Sequence, residues 1–159
     1  MGVLAFFGLS FLIAAPFSRA AEASCCHMDW FPYGGYCYKL FSDKVSWAEA
    51  EITCQHYFPG GHLASIHSIH QSAELAKYII KYRKDRTRVW IGLHDPLKNR
   101  QWQWTDRSSN SYKNWNVGEP NNNNNENENC VELWANTGYM KWNDLNCRYA
   151  RSYLCQYRL

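Results

Sequence analysis

The sequence lacks the signatures of several large protein classes. No C-x-x-C pair occurs among its seven cysteines, which argues against a zinc site of the usual spacing. It contains neither an EF-hand loop nor a nucleophile-elbow motif, so a standard calcium loop and a known nucleophilic active site are both disfavoured. The net charge is only +3 over 159 residues. With so small an excess of positive charge, we expect no nucleic-acid partner. Because no known nucleophile motif is present, we also expect no catalytic function.

Long apolar runs are equally scarce. The run from Val3 to Ala15 is shorter than the roughly 20 residues of a membrane span and has the length of a signal-peptide core. Ala21-Glu22-Ala23 fits the signal-peptidase rule, and Ser18-Arg19-Ala20 is a second candidate. We therefore predict a signal peptide at residues 1–23, one domain at residues 24–159, secretion to the extracellular space, and no membrane insertion.

Basic residues are concentrated between positions 77 and 88. They are Lys77, Lys81, Arg83, Lys84, Arg86 and Arg88. The stretch lies at the end of a predicted helix, where positive charge complements the helix dipole. We interpret it as a solvated face and not as a nucleic-acid site.

Hydrophobic periodicity predicts an α+β fold in which two helices pack on antiparallel sheets. Capping boxes at Ser46-x-x-Glu49 and Ser68-x-x-Gln71 predict the two helix starts. Short alternating or apolar runs predict the strands Tyr36–Leu40, Val89–Leu93, Gln101–Trp104, Cys130–Leu133, Tyr139–Trp142 and Tyr153–Gln156. Between them, residues 106–129 form a long polar loop rich in Asn and Ser.

So long a loop in a compact domain is usually functional or tied down. Carboxylates and amides are concentrated in it and just after the strand that follows, and calcium prefers such oxygen ligands. We predict a calcium site assembled from separated segments, with one of Glu126 and Glu128 alongside Glu119, Asn121, Asn143 and Asp144.

Three motifs stand out along the chain, Trp90-Ile91-Gly92-Leu93, Glu119-Pro120-Asn121 and Trp142-Asn143-Asp144. The first resembles the core strand of the C-type lectin domain family, and the other two resemble its calcium motifs. Cys147 and Cys155 follow at the family's spacing. The resemblance covers nearly the whole mature chain. It extends to soluble single-domain lectins of reptile venoms and, around Trp90 to Trp104, to secreted regenerating-type proteins.

The resemblance implies three disulfides, Cys26–Cys37, Cys54–Cys155 and Cys130–Cys147. Each would contribute about 2–4 kcal/mol. Cys25 lies outside these pairs, and we expect it either to link two chains or to carry a small-thiol cap.

The resemblance also implies that a sugar binds directly to one calcium ion. The same residues, Glu119, Asn121, Glu128, Asn143 and Asp144, would then contact both the ion and two vicinal hydroxyls. Glu128 is the match by its distance from Cys130. The order Glu-Pro-Asn implies equatorial hydroxyls, as in mannose-type sugars, and a cis peptide bond before Pro120.

These expectations describe a calcium-dependent lectin for glycans or glycoproteins with mannose-type sugars. Its role as a toxin, a digestive protein or a defence protein stays open. The alternative is a non-catalytic protein-binding module on the same fold, acting on receptors or clotting factors. The intact calcium motifs favour the lectin.

Overall fold

The structure, a computed structural model, describes Gly2 and residues 25–83, 85–123 and 126–159. The predicted signal peptide, Gly2 apart, lies outside the described residues and stays a prediction. In the part that is described, no helix has the length and apolar character needed to cross a lipid bilayer.

Two α-helices are present within the described ranges, α1 (Trp47–Tyr57) and α2 (Ile69–Tyr82). Helix α1 begins with the predicted capping box, because Ser46 and Glu49 each accept a hydrogen bond from the other's backbone N–H. At α2 the Ser68 hydroxyl caps the Gln71 N–H, but the Gln71 side chain accepts from the His67 N–H. The second capping box therefore forms only in its first half.

Eight strands of the described chain form one sheet. They are β1 (Phe31–Tyr33), β2 (Tyr36–Val45), β3 (His62–Leu63), β4 (Val89–His94), β5 (Gln103–Trp104), β6 (Cys130–Leu133), β7 (Trp142–Leu145) and β8 (Arg151–Arg158). The order is β1-β2-β8-β4-β6-β7, with β3 paired to β8 and β5 paired to β4. The predicted antiparallel pairing holds except between β4 and β8, which run parallel.

One strand, predicted at Tyr139–Trp142, has different bounds in the structure. Strand β7 begins at Trp142, where the predicted strand ended. A short 3₁₀ helix, Ala135–Thr137, ends at Gly138, and both Gly138 and Tyr139 have positive φ, 63° and 62°. Backbone in that left-handed region cannot continue a strand, so the chain turns before it pairs.

Two close contacts determine how helix α1, β3 and β4 pack together. The Trp47 indole N–H donates to the Ile91 carbonyl over 2.8 Å. At Gly92, a Cβ would lie 2.7 Å from the Leu63 carbonyl oxygen, so only glycine fits between strands there. The structure contains the disulfides Cys26–Cys37, Cys54–Cys155 and Cys130–Cys147. The predicted α+β class is confirmed.

Only part of the basic stretch lies at the end of helix α2, as the sequence suggested. Helix α2 ends at Tyr82, so Lys81 is the basic residue of its last turn. Arg86 and Arg88 lie beyond the helix, on the way to β4. The helix-dipole interpretation was therefore wrong for these two arginines.

Candidate calcium and sugar site

Aromatic packing fixes the start of the long loop against β7. The Trp142 ring is fully buried and makes edge contacts with Trp104, Tyr112 and Trp115, at centroid distances of 5.6, 5.7 and 5.7 Å. The Trp142 N–H donates to the Asn114 carbonyl over 3.0 Å, and its own carbonyl accepts from Asn116 over 2.9 Å. Because β7 continues directly into Asn143 and Asp144, this packing places the loop beside both residues.

Asp144 is the centre of the candidate site. Its side chain is fully buried, and Oδ1 accepts the Asn121 backbone N–H over 3.0 Å. Oδ2 accepts the Asn122 N–H, also over 3.0 Å. A buried carboxylate that accepts backbone N–H groups fixes the backbone that donates to it. The Glu119-Pro120-Asn121 motif is thereby tied to the Trp142-Asn143-Asp144 motif.

The peptide bond between Glu119 and Pro120 is cis, as the resemblance implied. The Glu119 side chain is half-buried and lies beside the Asp144 carboxylate. Its Oε2 atom is buried and has no hydrogen-bond partner among the described residues. An orphaned carboxylate oxygen next to a second carboxylate is unfavourable unless a proton or a cation joins them.

This crowding changes the pKa of Glu119. Burial, the contact with Asp144 and the negative charges of Asp144 and Glu128 raise it to about 7 from an ordinary value of 4.5. Burial also raises the pKa of Glu128, and the charges of Asp144 and Glu126 add to the effect. The negative charge of Asp144 therefore acts on both Glu119 and Glu128, and that of Glu128 acts on Glu119.

Glu128 and Glu126 occupy different environments. The Glu128 side chain is buried, and its Oε2 accepts the Asn123 N–H over 2.6 Å. The Glu128 N–H donates in turn to the Asn122 side-chain oxygen over 2.9 Å. Glu126 is exposed, and its backbone carbonyl accepts from Asn146. Of the two alternatives, Glu128 is the one directed toward the site.

Asn143 lies next to Asp144 but has a partner that the sequence did not reveal. Its side-chain NH₂ donates over 2.9 Å to the Glu132 carboxylate, directly opposite on β6. This leaves the Asn143 side-chain oxygen as its second polar atom, an acceptor suited to calcium. Glu132 is a buried carboxylate whose role could not be read from the motifs, because its partners come from three distant segments.

Arg100 is the second residue that sequence reasoning missed. Its Nη2 donates to Asp144 Oδ2 over 2.7 Å, and its Nη1 donates to the Glu128 carbonyl over 3.1 Å. The backbone at Arg100 has φ of +65°, in a turn where its N–H donates to Asp95 over 2.7 Å. A guanidinium therefore supplies positive charge to the carboxylate cluster. The positive φ of this turn leaves no local signal in the sequence, so the contact is visible only in the fold.

The donor set suits calcium better than a metal that prefers nitrogen or sulfur. In the described part of the chain, no three His, Cys, Asp or Glu side chains can hold a metal by themselves. Carboxylates from Glu119, Glu128 and Asp144, with amide oxygens from Asn121 and Asn143, give the mixed oxygen set that calcium takes. The orphaned Glu119 oxygen fits such an ion, because a divalent cation would relieve its repulsion with Asp144.

Comparison with known proteins gives a consistent result. Residues 43–157 match the family model described as the lectin C-type domain. The chain is 50% identical to a "C-type lectin mannose-binding isoform" from Oxyuranus scutellatus, over 99% of each chain.

Solved structures extend the comparison beyond that relative. Human lithostathine matches with a TM-score of 0.79 and 36% identity, covering 84% of this chain and all of that one. A calcium-independent type II antifreeze protein matches with a TM-score of 0.74 and 27% identity, over 87% and 98% of the two chains. With this fold, these motifs and a family model that covers most of its length, the chain belongs to the C-type lectin domain family.

Proposed function

We propose that this protein is a secreted, non-catalytic lectin that binds mannose-type sugars through one calcium ion. The observation that carries the proposal is the orphaned Glu119 carboxylate oxygen, buried beside Asp144 and near Glu128. An unpartnered carboxylate oxygen beside a second carboxylate is a position that a cation would stabilise. Glu119, Asn121, Glu128, Asn143 and Asp144 are the ligands we assign.

The choice of sugar follows from which groups can donate. An ionised carboxylate only accepts hydrogen bonds, whereas an Asn side chain offers an acceptor oxygen and two donors. Glu119 and Asn121 therefore differ in the hydroxyl orientations that they accept, and the order Glu then Asn is the one that the family resemblance links to equatorial hydroxyls. The mannose-binding relative from Oxyuranus scutellatus supports the same specificity.

Chromatography on immobilised mannose tests the proposal. We expect the mature protein to be retained in calcium and released by a chelator, with weaker retention on immobilised galactose. The matched control is Glu126→Gln, which changes an exposed carboxylate of the same loop and should elute like the wild type. Failure to bind either sugar in calcium would overturn the proposal.

The second candidate is a calcium-independent protein-binding module. The observation that favours it is Arg100, whose guanidinium already neutralises part of the carboxylate cluster without a metal. The antifreeze protein that matches in structure is described as calcium-independent, which supports a function of this fold without calcium. Retention of a protein ligand in chelator, with no retention on sugar columns, would select this candidate.

Avidity would follow if two chains were linked. Cys25 is exposed and is the residue that we propose for such a link. Two weak sites on one molecule bind a glycosylated surface far more tightly than one site does. A band of twice the mass on a non-reducing gel, lost in Cys25→Ser, would establish the link; a monomer in both would exclude it.

A further inference from the structure

A concave surface that includes none of the candidate calcium ligands is lined largely by cationic side chains. This basic pocket has a volume of about 230 Å³. Its lining residues are Lys44, Arg86, Thr87, Arg88, Ala150 and Arg151. Four of the six are cationic and none is acidic. They come from β2, the segment before β4, and β8, so the fold and not the local sequence brings them together.

Two of the four cations are held by one buried carboxylate. Arg88 Nη1 donates to Glu132 Oε1 over 2.6 Å, and Arg151 Nε donates to Glu132 Oε2 over 2.8 Å. The Glu132 side chain is 0% exposed, whereas the two arginines are 34% and 22% exposed. A single carboxylate therefore orients two guanidinium groups that still reach solvent.

Aromatic rings hold the same two arginines from the other side. The Arg88 guanidinium lies 5.1 Å from the ring centre of Trp134, and the Arg151 guanidinium lies 5.4 Å from that of Tyr149. Such contacts restrict the guanidinium planes and lower the entropy cost of binding a ligand. Beyond the bonds to Glu132 and to the Ala150 carbonyl, the described residues accept no further hydrogen bonds from these side chains.

Positive charge exceeds negative charge around the pocket. No side-chain hydrogen bond or ion pair within the described ranges involves Lys44 or Arg86, and both are exposed. Asp85, the nearest acid along the chain from Arg86, is bonded to Arg83 and Thr87. Asp43, next to Lys44, is an exposed acid that offsets one charge. Even so, Glu132 and Asp43 leave two of the four lining charges uncompensated.

From this arrangement we infer that the basic pocket binds the anionic substituent, sulfate or carboxylate, of an acidic saccharide. Guanidinium groups pair with such oxyanions through parallel N–H bonds, and a lysine adds a point charge. A saccharide is the expected carrier because Glu132 Oε1 accepts both from Arg88 and from Asn143, a candidate calcium ligand. The pocket and the candidate calcium site therefore share the buried Glu132 as a hydrogen-bond partner.

The inference rests on the proposed function only for the class of ligand, so its test runs without calcium. A heparin-derived hexasaccharide, its desulfated form, which keeps the carboxylates, and a neutral maltohexaose are titrated into the mature protein in chelator. We expect the heparin fragment to bind and the neutral one not to bind. Binding that survives desulfation identifies carboxylate as the anion, and binding that is lost identifies sulfate.

The decisive variant is Lys44→Gln with Arg86→Gln, which removes two exposed charges and leaves the Glu132 network intact. Affinity for the heparin fragment should fall about tenfold, as expected for the loss of charge-assisted contacts. The matched control, Lys113→Gln with Arg158→Gln, removes the same charges from exposed positions that do not line the pocket. Equal loss in both variants would mean general electrostatic attraction and would overturn the inference.

Two further measurements distinguish this inference from the proposed function and from binding of other polyanions. The Lys44/Arg86 variant should keep its retention on immobilised mannose in calcium, so failure of one site does not imply failure of the other. Binding to acidic phospholipid vesicles or to DNA, with none to the acidic saccharides, would also overturn it.

Discussion

The Arg100 guanidinium donates to the buried Asp144 carboxylate over 2.7 Å, although the two residues are 44 positions apart. The same guanidinium bonds the Glu128 carbonyl and lies 4.9 Å from the ring centre of Trp102. Arg100 therefore joins the turn after β4, the end of the long loop and the end of β7. In the absence of calcium, it is the cation that the candidate site possesses by itself.

Replacing this cation should weaken the calcium-free protein. Arg100→Gln removes a charged hydrogen-bond donor from a fully buried carboxylate, which typically costs about 1–3 kcal/mol. Because the proposed calcium ion would supply positive charge to the same carboxylate, the rise in melting temperature on adding calcium should be larger in the variant than in the wild type. Differential scanning fluorimetry with and without calcium measures both effects. An unchanged calcium-free melting temperature would contradict the role, and Arg158→Gln serves as the exposed control.

Glu126 and Glu128 should differ in their effect on calcium affinity. Glu128→Gln should weaken calcium binding by at least about tenfold, since even residues outside the ligand set commonly cost that much. Glu126→Gln should change it by less than about twofold, because an exposed carboxylate acts only through screened charge. Isothermal titration with calcium compares the two. The reverse ranking would show that Glu126 is the ligand.

The order of donors in the Glu-Pro-Asn motif should determine sugar preference. Glu119→Gln with Asn121→Asp exchanges the acceptor-only carboxylate and the amide. We expect preference on a glycan array to move from mannose toward galactose while calcium still binds. Selectivity that stays with mannose would contradict this mechanism. Glu126→Gln again provides the matched control for charge in the loop.

Proton binding at Glu119 should affect stability in a defined direction. Its pKa in the folded protein is raised from 4.5 to about 7, so the folded state binds the proton more tightly than the unfolded state. This contribution is fully present below about pH 4.5 and is lost as the pH rises through about 7. In calcium-free buffer, the wild type should therefore lose stability across that window relative to Glu119→Gln. If the melting temperatures of the two proteins changed equally with pH between pH 4 and pH 8, the raised pKa of Glu119 would be contradicted.

Calcium should reverse the same trend, because the ion and the proton compete for one carboxylate. Calcium affinity is therefore expected to fall as the pH drops below about 7, and mannose retention should fall with it. A calcium titration at pH 5 and at pH 7.5 checks the direction. Equal affinity at both values would mean that Glu119 does not contact the ion.

Features set by neighbouring residues could be predicted from the sequence. The capping box at Ser46 and Glu49 and the buried spacing of Trp47, Ala50 and Cys54 depend on residues within a turn or two of one another, so α1 was predicted correctly. The motif residues Glu119 and Asp144 were recognised by resemblance. The hydrogen bond from the Asn121 N–H to Asp144, which joins the two motifs, became visible only in the fold.

Features set by distant residues could not be predicted. The contact of Arg100 with Asp144 depends on a turn of positive φ, and the bonds from Arg88, Arg151 and Asn143 to Glu132 join segments far apart in the chain. Strand β7 begins later than predicted because Gly138 and Tyr139 have positive φ. Two consecutive residues in that conformation leave no pattern of hydrophobicity in the sequence. No local periodicity encodes such relationships, which arise from the order of strands in the sheet.

That strand order has a practical consequence for handling the molecule. The His27 N–H donates to the Tyr157 hydroxyl, and the Leu159 N–H donates to the Gly35 carbonyl, so both ends of the described domain meet beside β1 and β2. Strand β7, which carries Asn143 and Asp144, lies at the opposite end of the strand path. A biotin or a sensor surface attached near residue 25 or at Leu159 would therefore leave the strand that carries Asn143 and Asp144 directed into solution, and both attachment points should give equivalent chips for testing the proposed glycan binding.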